Sequence, residues 1–200
     1  MTVRQIAQKV NLSPANIMFY FPTKEHILAL LVDMLCDFQW KLMKEEADDG
    51  ISSLLAICLE LMTMAAACEE NEVARDFFVT AYQSPMCLEI IRKNDTERAK
   101  TVFAQYCEGW TDEHFVEAEI LVSGTEYATL ITTEEPPLDV RIAGALNNIL
   151  GIYGVPEEIR KMKIEKVLAM DYRSLGKRIF KEFREYVEHT NEQAYEELLN

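Results

Sequence analysis

The sequence predicts an all-α protein, and three observations carry that prediction. Apolar residues recur at i, i+3, i+4 and i+7 along most of the 200 residues. No stretch sustains a period-two alternation, and no Asn-Gly or Asp-Gly hairpin turn occurs. The Gly, Pro, Asn and Ser breaks between the periodic segments are few and short. With 49% apolar residues the chain can bury a sizeable core, which excludes a disordered chain.

The first helix begins after Thr2, whose spacing to Gln5 is that of a capping box. Val3, Ile6, Ala7 and Val10 form its buried face, and Asn11 suits the left-handed residue that ends it. Ser13 is a good N-cap for a second helix, and Pro14 fits its first turn. That helix runs to about Tyr20, where Pro22 stops the chain and Thr23 caps a third helix from Lys24 to about Ala47. Its stripe is Ile27, Leu28, Leu31, Leu35 and Phe38. A fourth apolar stripe starts at Ile51 and continues through Leu54, Leu55, Cys58, Leu61, Met62 and Ala65. Helices then follow over 72–83 and 85–108, the second capped by Ser84 with Pro85 behind it. Two more cover 112–133 and 138–153, and a last one runs from Pro156 to about His189 with a bend near Asp171.

Charge is distributed unevenly. The chain holds 34 acidic and 20 basic residues, for a net charge of -14. Such a balance argues against contact with polyphosphate. Residues 1–24, however, contain Arg4, Lys9 and Lys24 and no acid, a local charge of +3. The remaining 17 bases and all 34 acids sum to -17. The N-terminal stretch is therefore the one a phosphate backbone can approach.

Several classes are excluded. No uncharged apolar run approaches the roughly 18 residues a membrane span needs. The start, with Arg4, Gln5, Gln8 and Lys9, lacks the apolar core of a secretory signal, so a cytoplasmic location is expected. Cys36, Cys58, Cys68, Cys87 and Cys107 form no C-x-x-C pair and read as reduced core thiols. His26, His114 and His189 lie apart, so neither a metal site nor a cofactor is expected. No phosphate-binding glycine motif, nucleophile elbow or H-E-x-x-H motif occurs, and no enzymatic activity is expected. Glu69, Glu70 and Glu72 read as a solvated acidic turn, with attraction of a cationic ligand as the other reading.

Two short helices joined by a tight turn at the basic end form a helix-turn-helix pattern, which places the second helix for entry into a major groove. The run Thr2-Val3-Arg4-Gln5-Ile6-Ala7 through Leu12-Ser13-Pro14-Ala15-Asn16-Ile17-Met18-Phe19-Tyr20-Phe21-Pro22-Thr23-Lys24 resembles the DNA-binding region of the TetR family of bacterial transcriptional regulators. The likeness lies in Ile6-Ala7, the Leu12-Ser13 turn, the aromatic cluster before Phe21-Pro22, and Lys24 opening the next helix. It covers about the first 30 residues; the rest matches only as a helical body.

The resemblance implies a helix-turn-helix region over residues 1–30 and a helical ligand-binding and dimerisation domain over 31–200. It implies a repressor, a homodimer on double-stranded operator DNA, released when a small-molecule effector binds the body. The candidate DNA-binding residues are Thr2, Arg4, Ser13, Ala15, Asn16, Phe19, Tyr20 and Lys24. Tyr20 and Lys24 are expected at phosphates, and Ala15, Asn16 and Phe19 at base edges. Asn16 equally suits support of its own helix cap; Phe19 and Tyr20 either face DNA or pack against the family's additional helix, and because adjacent helical residues point about 100° apart, burial of both is the less favoured reading. Two departures qualify the likeness. The family has one more helix ahead of the stretch that begins at Thr2, giving a three-helix head in which that helix covers Val3, Ile6 and Ile17. The family also commonly has Tyr where this chain has Met18. Both keep open an alternative: a helical dimer that binds a small molecule or protein and no longer binds DNA.

Within the body, Met62, Phe78, Tyr82, Phe103, Tyr106, Trp110 and Tyr127 are the candidate effector-binding residues. Apolar pockets use such side chains, and so do ordinary cores. Ile142, Leu146, Ile149 and Tyr153, with Leu175, Ile179 and Phe183, are the expected dimer interface. Burial inside one subunit is the competing account of the same stripes.

Overall fold

The computed structural model describes residues 2–48 and 52–199, and among these it contains ten helices and no strand. They are α1 (Val3–Lys9), α2 (Pro14–Tyr20), α3 (Lys24–Asp48), α4 (Ser53–Glu70), α5 (Glu72–Gln83), α6 (Pro85–Val102), α7 (Asp112–Ile131), α8 (Leu138–Ile152), α9 (Glu157–Leu168) and α10 (Tyr172–Leu199). The all-α expectation holds. Ile51, the first residue of the fourth predicted stripe, lies outside the described residues.

α4 organises the body. Leu54, Leu55, Cys58, Leu59, Leu61, Met62, Ala65, Ala66 and Cys68 are all buried, so the helix is apolar on nearly every side. A helix of that kind has no face to give to water and takes the centre of a bundle. α3, α5, α7, α8, α9 and α10 all pack on it. Each fully buried Leu or Met contributes about 1.5–3 kcal/mol relative to exposure. All five cysteines are buried and free. Among the described residues no helix is long and apolar enough to cross a membrane.

α10 lies against α4 at close range because of one residue. A Cβ on Gly176 would sit 2.8 Å from the Thr63 carbonyl oxygen and 3.5 Å from Ala66 Cβ. Gly176→Ala therefore forces the two helices apart. The overpacking cost of about 1–3 kcal/mol exceeds the helix-propensity gain of up to ~1 kcal/mol. We expect thermal unfolding to show a melting temperature lower by roughly 2–4 °C. Ion pairs fix the same seam. Glu69 accepts from Arg141 at 3.1 Å and from Arg173 at 2.9 Å. Glu70 accepts from Arg173 at 3.1 Å and from Lys177 at 2.7 Å. Glu69 and Glu70 are thus clamps to α8 and α10 rather than a free acidic turn.

Two boundaries differ from the sequence reading. The helix expected over 85–108 stops at Val102, because Phe103 turns inward and stacks on Tyr153 with ring centroids 4.0 Å apart. Tight turns follow: the Tyr106 and Cys107 amides both donate to the Phe103 carbonyl, at 2.8 and 3.1 Å. The long last helix is two helices. Ala169 ends α9, and the Asp171 carboxylate accepts from the Ser174 amide at 3.2 Å to start α10.

Candidate functional site

At the N-terminal end, the local signals behave as the sequence chemistry requires. The Thr2 hydroxyl accepts from the Gln5 amide at 3.3 Å, and the Gln5 side chain accepts from the Thr2 amide at 2.7 Å. Asn11 takes φ 54°, the left-handed conformation that turns the chain after α1. The Ser13 hydroxyl accepts from the Asn16 amide at 3.1 Å and starts α2. α1 and α2 pack together through buried Ala7 and Ile17. Val3 and Ile6 are half-buried.

All eight candidate DNA-binding residues are exposed. Their roles divide. The hydroxyls of Thr2 and Ser13 are engaged as caps, whereas Asn16 receives its cap bond through the backbone. Phe19 and Tyr20 are 81% and 73% exposed and touch each other edge to face at 5.1 Å. They are not packed in the core. Lys24 lies 3.9 Å from the neighbouring Glu25 carboxylate, both largely exposed. Arg4, Ala15, Asn16, Phe19, Tyr20 and Lys24 thus all lie on the surface of the acid-free N-terminal stretch.

The body contains a buried charged cluster that the sequence reading missed. Arg98 is 3% exposed and donates from Nη1 to Glu60 at 3.0 Å and to Asp95 at 3.2 Å, while Nη2 also pairs with Glu60. Beside them, on α7, stand Glu119 and Glu126. Tyr153 donates to Glu119 Oε1, and Tyr82 donates to Glu126 Oε2 at 2.8 Å. Glu119 is 2% exposed, and its Oε2 has no hydrogen-bond partner. Arg92, the other nearby cation, donates from Nε to Ser123 at 2.8 Å. Glu60, Asp95, Arg98, Glu119 and Glu126 all line one cavity of about 30 Å³. Two further cavities, of about 20 and 50 Å³, also have Glu60 in their walls. A signal was present: between Ile51 and Cys68 the only charged residue is Glu60.

Burial sets the protonation of this cluster. It raises the Glu119 carboxyl to about 8, with the charge of Asp95 adding to the effect. It raises Asp95 to about 6 against the opposing pull of Arg98, and it holds Glu126 well above the usual carboxylate range. Glu119 therefore keeps its proton in the folded chain between pH 4.5 and about 8, where the unfolded chain has lost it. Its contribution to stability is complete below pH 4.5 and is lost as pH rises towards 8. Glu119→Gln removes that loss. We expect the variant to match wild type near pH 4 and to exceed it at pH 8 by about 2 kcal/mol, or roughly 4–8 °C in thermal unfolding.

The candidate effector-binding residues separate. Phe78, Tyr82 and Phe103 line these cavities. Met62 is fully buried and lines none of the three; it is central packing of α4. Tyr106, Trp110 and Tyr127 are half-buried and also lie outside the three walls. Tyr127 stacks on Tyr82 at 6.5 Å, and Trp110 packs on Phe115 and Tyr153.

Most of the expected dimer stripe packs inside the chain. Ile142, Leu146, Ile149 and Tyr153 are buried within the one chain and have no surface to offer a partner. Leu175, Ile179 and Phe183 pack against the core; Ile179 and Phe183 wall the 50 Å³ cavity, and Phe183 meets Phe38 and Phe77. The apolar side chains left uncovered lie elsewhere. Val116, Ile120 and Leu121 on α7 and Val140 on α8 are each roughly half exposed. A Cβ added at Gly124 or Gly144, on the same two helices, would meet nothing within 4 Å.

Comparison with protein-family models, with curated proteins and with solved structures finds no match.

Proposed function

We propose that this chain is a DNA-binding transcriptional regulator of TetR type, a cytoplasmic homodimeric repressor released from its operator by a small molecule. The observation that carries the reading is the surface of α2. Phe19 and Tyr20 stand in solvent beside Asn16 and Lys24, on a stretch without acidic residues. An aromatic pair so exposed marks a contact surface. The amide of Asn16 can pair with an adenine edge, and the cations Arg4 and Lys24 suit phosphates. The -17 remainder of the chain holds itself away from DNA and deters indiscriminate binding.

The uncovered faces of α7 and α8 serve as the dimer seam in this reading, with the open glycines permitting close helix approach. The cavities of the body serve the effector. Val32, Leu35 and Cys36 of α3, the helix that leads on from α2, line the 20 Å³ cavity. An effector that binds better to one α3 position shifts the population of head spacings and releases the operator.

Fluorescence anisotropy with duplex DNA from upstream of the chain's own coding sequence tests this. We expect binding that weakens steeply with salt, and a loss of about 10-fold or more in Asn16→Ala. Absent binding, or binding insensitive to salt, would leave the helical dimer without DNA as the better account.

A further inference from the structure

We propose that the first half of α7, Asp112 to Ser123, is a proton-operated latch. With Glu119 neutral it is held on the bundle, and with Glu119 ionised it opens off the core about Gly124. The device rests on the regulator reading only for its effect at DNA, where α7 carries the proposed dimer seam.

The cluster behind α7 is balanced for one protonation state. α4, α5, α6 and α8 all pack on this helix. α4 brings Glu60, α5 the Tyr82 hydroxyl, α6 Arg92, Asp95 and Arg98, and the turn after α8 brings Tyr153. Arg141 of α8 is occupied by Glu69 and the Thr129 carbonyl, and Lys100 of α6 pairs with Asp112 at the exposed start of α7. The charges of Arg92 and Arg98 match those of Glu60 and Asp95. Glu119 and Glu126 therefore fit as neutral acids, and each receives a tyrosine hydroxyl. A charge on Glu119 is one too many. The cavity beside it, about 30 Å³, has room for about two waters, too few to hydrate a carboxylate. Glu119 is 2% exposed, so once ionised it reaches bulk water only by moving the helix that carries it.

α7 is weakest near its middle. Glycine is the poorest helix former after proline, and nothing inside the chain packs within 4 Å of where a Gly124 Cβ would stand. On either side of it, the Ser123 and Thr125 hydroxyls donate back to the Glu119 and Leu121 carbonyls, at 2.7 and 3.0 Å. Such bonds bend and slightly destabilise helices. Glu119 lies ahead of this point and Glu126 behind it. The outer face of the first half is open too, with Val116, Ile120 and Leu121 roughly half exposed.

Linkage fixes the direction and size of the effect. Burial raises Glu119 to about 8, and opening returns it towards its ordinary 4.5. Glu126 stays with the half that does not move, so opening releases one proton. Its equilibrium constant therefore rises about 10-fold per pH unit and levels off near pH 8. Val116, Ile120 and Leu121 move with the latch, so a rise in pH loosens the dimer seam and its hold on the operator.

Native-state hydrogen exchange of the full chain, over pH 6 to 9 and in low concentrations of urea, tests the proposal. After correction for intrinsic rates, we expect the amides of 116–122 to exchange through an opening that exposes little surface, and so depends weakly on urea. That opening should grow about 10-fold from pH 6 to 7 and level off above 8. The amides of 128–131 and those of α4 should be better protected and more sensitive to urea. Glu119→Gln should flatten the pH dependence at 116–122, while Glu117→Gln, on the exposed face of α7, leaves it unchanged. Glu119→Gln is expected to melt no lower than wild type, so a lost response is not lost folding. The same protection and urea dependence at 116–122 as in α4, or a pH dependence that survives Glu119→Gln, overturns the proposal. The exchange contains no DNA. A latch that opens without any effect on operator affinity would therefore count against the regulator reading alone, and operator binding without local opening against the latch alone.

Discussion

Arg98→Met is expected to cost about 3–5 kcal/mol of stability at neutral pH. Among the described residues Arg98 is the one cation paired with both Glu60 and Asp95, and it is 3% exposed. Methionine fills much of the aliphatic volume, so the loss is not a cavity effect. What remains is a pair of carboxylates inside the bundle with no counter-charge, and that imbalance costs more than the pair itself contributes. The deficit should depend on pH with a definite sign. Asp95 is already raised to about 6 with Arg98 present, and removing the guanidinium raises it further. The unfolded chain ionises Asp95 near pH 3.8, so the penalty grows as pH climbs from there through the folded-state value. Urea unfolding should show the deficit shrinking towards pH 4 and full at pH 7. Adding Glu60→Gln to Arg98→Met should recover part of it, because one of the two stranded charges is gone.

In the proposed homodimer, Ile120→Asp is expected to separate the two copies into monomers. Ile120 is half exposed on α7 between exposed Val116 and the open Gly124. A carboxylate there costs little in the isolated chain, since half of the side chain already faces water. In a seam between two copies it is desolvated opposite apolar groups and its own symmetry mate. Light scattering should fall from twice the chain mass to the 23.0 kDa of one chain. Operator affinity should fall at least 100-fold with it, because two joined heads bind as a bivalent unit. Leu146→Ala offers the contrast. It lies on the inner face of α8 and is fully buried, so it should lower stability by about 2–5 kcal/mol and leave the mass of the folded species unchanged.

The sequence made the local architecture legible wherever a single residue decides it. Thr2 with Gln5, Asn11, Ser13 with Pro14, and Ser84 with Pro85 each mark a helix end by side-chain chemistry, and each acts there. The 102–108 segment was illegible because the force that ends α6 is the stacking of Phe103 on Tyr153, fifty residues away. Periodicity also reported that α8 has an apolar face without reporting what covers it. Ile142 and Leu146 face the chain's own core, and the residues free for a partner, Val140 and Gly144, stand on the opposite side. Buried charge was the largest omission. Glu119 and Glu126 look like ordinary helix-surface acids, and only the packing of α7 on α4 and α6 turns them inward.

Selection of binding sites from a randomised pool of duplex DNA tests the central claim most directly. Wild-type chain should enrich one sequence as an inverted repeat, with half-site centres about 34 Å apart or a multiple of that. The Asn16→Ala/Phe19→Ala variant should enrich nothing. Failure of the wild-type chain to enrich any sequence beyond that variant would contradict the account.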